Sequence, residues 1–95
     1  MNITLPAKYH ELHWTEKKAA REEYIRLQKS KCQYCAEPLD GPPKEAVDIV
    51  WIDESLFPPN FFKHPIHLHH NHDTGLTIGA VHAKCNAYLW QYHGQ

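Results

Sequence analysis

Hydrophobic and polar positions follow a helical period early in the chain. Residues 15–29 place Ala20, Tyr24 and Leu27 at i, i+4 and i+7, which predicts a helix with these three side chains buried. Thr15 is suited to cap the helix, and the lysines near its end suit the negative pole of the helix dipole.

Prolines and glycines interrupt the middle of the chain. Residues 1–13 are expected to be extended or irregular, and residues 38–45 form a Pro/Gly break. The β-prone run 47–53 predicts a strand. Residues 57–65 hold three prolines and predict an ordered loop.

The last third has the clearest pattern. Residues 67–71 alternate as a strand does, and residues 73–75 predict a turn in which Gly75 takes a positive φ. The β-branched run 76–81 predicts a returning strand, and residues 83–92 predict a short helix. The predicted unit is strand, turn, strand, helix.

Length and charge refine this picture. Ninety-five residues make one small domain, 1–95, with a thin hydrophobic core that a cross-link would stabilise. The net charge of −1 hides an asymmetry. Residues 1–31 carry seven basic against four acidic residues, whereas residues 32–95 carry three against seven. We therefore expect a basic helical segment followed by an acidic core.

Three classes of protein are disfavoured. The chain has no apolar run of about 18 residues, so no membrane span is expected. Its first residues lack a basic stretch followed by an apolar one, so a secretory signal is not expected either. Three cysteines are too few, and odd in number, for a disulfide framework, and unpaired thiols suit a reducing, cytoplasmic compartment.

Two short spacings predict a structural metal site. Cys32 and Cys35 form a C-x2-C pair, His82 and Cys85 form an H-x2-C pair, and 46 residues lie between the two pairs. Four such ligands are what tetrahedral structural zinc takes, and all three cysteines of the chain are used. The alternatives are buried free cysteines with a surface histidine, or a thioredoxin-like redox pair, although no βαβ pattern surrounds it.

Histidines predict a second site. The chain has nine, and five of them fall between residues 64 and 72. On a strand, His67 and His69 would share one face while His70 and His72 share the other. One histidine could then bind a cation while its neighbour, with a pKa near 6.5, stays free as a base. The amide oxygen of Asn86 suits a hard cation such as Mg²⁺.

The segment HLHHNHDTGLTIGAVHAKCN, with the earlier C-x2-C pair, resembles the HNH (ββα-metal) nucleases. It is most similar to their zinc-ribbon branch, which includes phage junction-resolving and small nicking endonucleases. The resemblance covers residues 32–35 and 67–86. It implies an α+β chain with a small, zinc-stapled ββα-metal fold and an additional N-terminal helix.

The resemblance also implies roles for single residues. His70 matches the general base that activates water, His69 and Asn86 match ligands of a catalytic divalent ion, and His72 matches an auxiliary histidine at the phosphate. Two positions depart from the family pattern. His69 stands where this branch often has Asp, which favours softer ions such as Mn²⁺, and His82 stands where a Cys is usual.

The expected function is that of a metal-dependent DNA endonuclease that nicks one strand. Its cofactors would be one structural Zn²⁺ and a catalytic Mg²⁺ or Mn²⁺. Its partner would be double-stranded DNA, with the protein a monomer in solution and at most a weak dimer on DNA. A cytoplasmic location, in a bacterial cell or from a phage gene, fits this function. The expected phosphate contacts are Lys17, Lys18, Arg21 and Lys84.

Two other functions stay open at the level of sequence. One is a non-catalytic zinc module that binds DNA or protein, with incidental histidines. The other is an RNA-directed nuclease, although the only aromatic side chains that suggest base stacking are Trp51, Phe61 and Phe62.

Overall fold

The computed structural model describes residues 3–94, so residues 1, 2 and 95 of the predicted domain lie outside the described part of the chain. Within the described residues, three α-helices and a two-stranded antiparallel sheet form a small α+β unit. None of these helices combines the length and apolar character that a bilayer crossing requires. The elements are α1 (Trp14–Leu27), α2 (Glu45–Asp48), β1 (Ile66–His70), β2 (Thr77–His82) and α3 (Ala83–His93), with 3₁₀ turns at Tyr9–Glu11, Glu54–Leu56 and Phe61–Lys63.

Helix α1 confirms the first predicted helix, but it begins and ends earlier than expected. The predicted cap at Thr15 is wrong, because Nδ1 of His13 accepts the backbone N–H of Thr15 at 3.3 Å. The carboxylate of Glu16 accepts the backbone N–H of His13 at 3.0 Å, which completes a capping box. At the other end, Lys29 and Ser30 have φ values of 55° and 63°, and this left-handed turn stops the helix.

The buried face of α1 is only partly the predicted one. Ala20 is fully buried, and the hydroxyl of Tyr24 hydrogen-bonds to Oγ1 of Thr77 at 2.8 Å. The prediction for Leu27 is wrong, since its side chain is 56% exposed. The face continues instead at Gln28, one turn beyond Tyr24, and Gln28 contacts β2 through polar atoms that a hydrophobic pattern does not reveal.

The strand predicted over residues 47–53 is wrong. Val47 lies in α2 and is buried, whereas Ile49 and Trp51 are 75% and 70% exposed. A strand needs a free edge to pair with. The outer edge of β2 is already hydrogen-bonded to the N-terminal segment and to the turn that follows α1, so this run has no place in the sheet beside β2.

The predicted hairpin is confirmed, with each strand shifted by one residue. Strands β1 and β2 pair antiparallel, and the register is interrupted by a bulge between His69 and His70. In the connecting turn, Oδ1 of Asn71 accepts two backbone N–H groups at 2.8 and 2.9 Å. Gly75 has a φ of 75°, the positive value that the sequence predicts.

Helix α3 confirms the predicted final helix and ends at Gly94, which is left-handed with a φ of 69°. Its inner face packs against the sheet. The buried residues on it are Ala83, Cys85, Ala87 and Leu89. The main core cluster contains Cys32, Leu39, Val47, Ala80, Val81 and Cys85, so two cysteines are part of the core itself.

Gln28 pairs with β2 as a neighbouring strand would. Its Oε1 accepts the backbone N–H of Ala80 at 2.9 Å, and its Nε2 donates to the carbonyl of Ala80 at 2.9 Å. The close approach requires a glycine at the preceding position. A Cβ on Gly79 would lie 2.7 Å from Oε1 of Gln28.

We expect Gln28→Ala to lower the free energy of unfolding by about 1–3 kcal/mol, because it leaves the N–H of the fully buried Ala80 without its partner. Urea denaturation measures the change. The exposed Glu22→Ala on the same helix is the matched control and should stay within about 0.5 kcal/mol of the wild type. Equal unfolding midpoints for the two variants would contradict this role of Gln28.

Candidate metal centre and histidine cleft

Four predicted metal ligands lie together where the turn after α1 meets the junction of β2 and α3. We refer to them as the Cys₃His cluster: Cys32, Cys35, His82 and Cys85. The two N-terminal cysteines lie in the tight turn after α1, where the N–H of Cys32 donates to the carbonyl of Glu37 at 2.8 Å. His82 ends β2, and Cys85 lies in the first turn of α3. The ligand atoms all lie within 4.8 Å of one another, so the cluster could bind a zinc ion.

The imidazole of His82 is oriented as a metal ligand is. Its Nε2 donates to the carbonyl of Pro38 at 2.8 Å, which leaves the lone pair of Nδ1 free. That Nδ1 lies 3.4 Å from Sγ of Cys35 and 3.6 Å from Sγ of Cys85. A backbone partner on the outer ring nitrogen fixes the tautomer that binds a metal through the inner one.

The thiols of Cys32 and Cys85 have pKa values that are shifted in opposite directions. A hydrogen bond with Cys85 lowers the pKa of Cys32 to about 4, and the same bond, with burial, raises the pKa of Cys85. One thiolate is therefore favoured even without a cation, while a second thiol holds its proton in a buried site. Three sulfurs and one imidazole nitrogen are a donor set that tetrahedral zinc accepts.

A cleft of about 510 Å³ lies on the β1 side of the molecule, and we call it the histidine cleft. His70 and His72 line it with their rings 4.7 Å apart, and His64, His67 and Asn86 also line it. The structure thus brings the predicted base, the predicted auxiliary histidine and the predicted amide ligand to one concave surface.

His69 and His70 are adjacent in sequence but open onto different surfaces. His69 is 3% exposed and borders a separate depression of about 260 Å³. Burial lowers the pKa of His69, and the amide of Asn86 beside it acts in the opposite direction. Asn86 also contacts His67, so His67 and His69 meet the same amide. The predicted alternation holds only in part, because His67 lines the histidine cleft together with His70 and His72, and the register is interrupted between His69 and His70.

His67 is a site residue that the sequence did not single out. Its Nε2 donates to the carbonyl of Phe61 at 2.8 Å, so Nδ1 accepts from the amide nitrogen of Asn86 at 3.2 Å. This bond uses the nitrogen end of the amide and leaves the oxygen end for another partner. The position of His67 two residues before His69 on one strand face was the only available signal.

The sequence predicted a pKa near 6.5 for the histidine that acts as the base, but in the structure the pKa of His70 is lower. Burial, reinforced by positive charge on His72, His10, His69 and Lys17, lowers the pKa of His70 to about 4. Tyr9, a second residue that the sequence missed, stacks on the imidazole with ring centroids 3.9 Å apart and planes 9° apart. At neutral pH the ring is therefore uncharged and able to accept a proton.

Two of the four residues predicted to contact phosphate line the histidine cleft, and two do not. Lys17 and Arg21 line the histidine cleft, one helical turn apart on α1. Lys18 and Lys84 do not line it, and the ammonium of Lys84 donates instead to the carbonyl of Asp48. Among the described residues, no carboxylate lines the cleft.

We expect the protein to lose stability in mild acid. An unfolded histidine binds a proton near pH 6.5, whereas folded His70 does so only near pH 4. Between these values the unfolded state binds more protons, so the contribution of His70 to the free energy of unfolding should fall as the pH drops and should level off below about 4. Urea denaturation over this range should give a shallower fall for His70→Asn. The exposed His93→Asn is the control, and identical pH profiles for wild type and His70→Asn would refute the assignment.

No protein-family model, curated protein or solved structure matches this chain. The resemblance to the HNH nucleases therefore rests on the residues of the motif. The structure adds a small α+β unit with a Cys₃His cluster that could hold a metal ion.

Proposed function

We propose that the Cys₃His cluster holds one structural zinc ion. The donor set, the mutual approach of the ligand atoms and the fixed outer nitrogen of His82 all support zinc. Three thiolates and one Zn²⁺ carry a net charge of −1, so the ion would not attract phosphate. Its role would be to join the turn after α1 to the start of α3.

Metal analysis of the purified protein should return about one zinc per chain, and Cys32→Ser should lose both the zinc and the cooperative thermal unfolding transition, since binding and folding are coupled. The exposed His64→Asn is the matched control and should retain both. A folded, zinc-free Cys32→Ser protein would rule out a structural role for the ion.

We propose further that the chain is a metal-dependent DNA endonuclease that nicks one strand of double-stranded DNA. The observation that carries this proposal is the composition of the histidine cleft. His70, His72 and Asn86 line it together with Lys17 and Arg21, and no carboxylate among the described residues opposes them. Such a surface suits a phosphodiester and a base that activates water.

The catalytic cation would be held by His69 and Asn86, as the resemblance implies. His69 borders the neighbouring depression and Asn86 lines the histidine cleft, so Asn86 would connect the ion to the phosphate. Asn86 contacts both histidines: its amide nitrogen donates to Nδ1 of His67, and a hydrogen bond joins the amide to His69. A cation would replace the His69 contact at the amide oxygen. A donor set this sparse fits Mg²⁺ or Mn²⁺, which keep several waters and take further ligands from the substrate. When bound, the ion supplies positive charge at the leaving 3′ oxygen.

Each side chain of the cleft then has a role. His70 takes a proton from the attacking water, and the negative phosphate beside it would raise its pKa from about 4. His72 donates a hydrogen bond to the phosphate, and Lys17 and Arg21 hold the neighbouring phosphates. Attack at phosphorus breaks the bond to the 3′ oxygen and leaves a 5′-phosphate. A chain that acts alone would cut one strand.

Supercoiled plasmid incubated with the protein and Mg²⁺ or Mn²⁺ should convert to open circles. His70→Ala should slow this conversion by about 10²–10⁴-fold, the usual cost of removing a general base. The exposed Glu45→Gln on α2, which lies outside both the cleft and the depression beside His69, is the control and should cut at the wild-type rate.

No conversion with any divalent ion would refute the nuclease proposal and favour a non-catalytic zinc module. Equal rates for His70→Ala and wild type would refute the base assignment alone.

A further inference from the structure

Aromatic side chains form one wall of the histidine cleft, and we call Phe57, Phe61 and Trp90 the aromatic wall. The rings of Phe57 and Phe61 lie 4.7 Å apart, and those of Phe57 and Trp90 lie 5.5 Å apart in an edge-to-face arrangement. Trp90 is 45% exposed although it belongs to α3, whose inner face is buried. The wall therefore presents ring surface that the core does not use.

The aromatic wall lies beside the amide that is assigned to the cation. The ring of Phe61 meets the ring of His67 edge-to-face at 4.4 Å, and His67 in turn contacts Asn86 at 3.2 Å. One short chain of contacts thus joins the wall to the amide that would hold the cation. A ligand at this place meets apolar ring faces and phosphate-binding groups at once.

Helix α1 contributes positive charge to the same cleft. Lys17 and Arg21 lie one turn apart on α1 and line the cleft, and neither has an ion-pair partner among the described residues. The ammonium of Lys17 lies 4.2 Å from the ring centroid of Tyr9. With no carboxylate among the described lining residues, the cleft is complementary to an anion that also carries flat apolar faces.

We propose that the histidine cleft binds single-stranded DNA, with a phosphate at the histidines and Arg21 and an unpaired base stacked on the aromatic wall at Trp90. This inference rests on the proposed nuclease function and names the form of DNA that the same cleft prefers: within a nicked duplex, the strand in the cleft would be locally unpaired. In an intact duplex the base faces are covered by their neighbours, so a duplex gains nothing from the wall. An unpaired base offers its face, and stacking of this kind does not depend on sequence.

Fluorescence anisotropy tests the inference without cleavage, in buffer with no added divalent cation. The probes are a labelled oligothymidine of about ten nucleotides, a blunt duplex of the same length and an oligouridine. Wild-type protein should bind the oligothymidine more tightly than the duplex. Trp90→Leu should weaken oligothymidine binding by about tenfold and leave duplex binding unchanged.

Two further variants give the test its controls. Trp51→Leu removes a tryptophan that is 70% exposed outside the cleft, and it should bind all probes as the wild type does. Arg21→Gln should weaken binding of both DNA forms. It should also reduce the slope of log K against log salt concentration by about one. Trp90→Phe keeps an aromatic face and should retain most of the affinity, which separates loss of stacking from loss of folding.

Equal affinity for oligothymidine and duplex, or equal binding by Trp90→Leu and Trp51→Leu, overturns the inference even if plasmid is nicked. Trp90-dependent binding of the oligouridine alone overturns DNA as the ligand. Absence of binding to every probe also overturns the inference. Trp90-dependent binding of oligothymidine by a protein that cuts no DNA supports the inference and refutes only the nuclease proposal.

Discussion

The remaining structure depends on one constraint: at the Cys₃His cluster, the turn after α1 contacts the junction of β2 and α3. Among residues 3–94 the largest fully buried side chains are those of Val81 and Cys85, so the hydrophobic core is thin, and a small domain of this kind has little stability to spare. Cys32 and Cys85 belong to both the core and the cluster. Packing and ligand geometry therefore reinforce each other, and a cation bound there would close the long loop between the turn after α1 and the start of α3.

The histidine cleft follows from this constraint. Asn86 comes directly after Cys85, so the residue that fixes the start of α3 also places the amide opposite the hairpin. Tyr24 and Gln28 attach α1 to β2, and the same helix then brings Lys17 and Arg21 to the cleft.

The N-terminal segment pairs with the hairpin. The N–H of its Tyr9 donates to the carbonyl of Gly75 at 2.8 Å, and the ring of Tyr9 stacks on His70.

Local patterns predicted much of this structure because the relevant signals are local. The C-x2-C and H-x2-C pairs, the hairpin and the final helix each depend on residues close in sequence. The structure confirms the hairpin and the final helix, and it brings the four residues of the two pairs together.

The predictions that were wrong concern residues whose partners are distant in sequence. Leu27 is exposed because Gln28 takes the contact with β2, and the strand predicted at 47–53 is absent. His67 and Tyr9 could not be identified, since their partners lie 19 and 61 residues away. The catalytic roles remain predictions.

Titration of the metal-free protein with Co²⁺ tests the central claim most directly, because cobalt reports its own coordination. If the four side chains hold one structural ion, thiolate-to-cobalt absorption with the spectrum of a tetrahedral site should saturate at one equivalent. The far-ultraviolet circular dichroism of the folded helices should appear over the same equivalent, and added zinc should displace the cobalt. A metal-free protein that is already fully folded, or a cobalt spectrum without thiolate ligation, would contradict this role for the cluster.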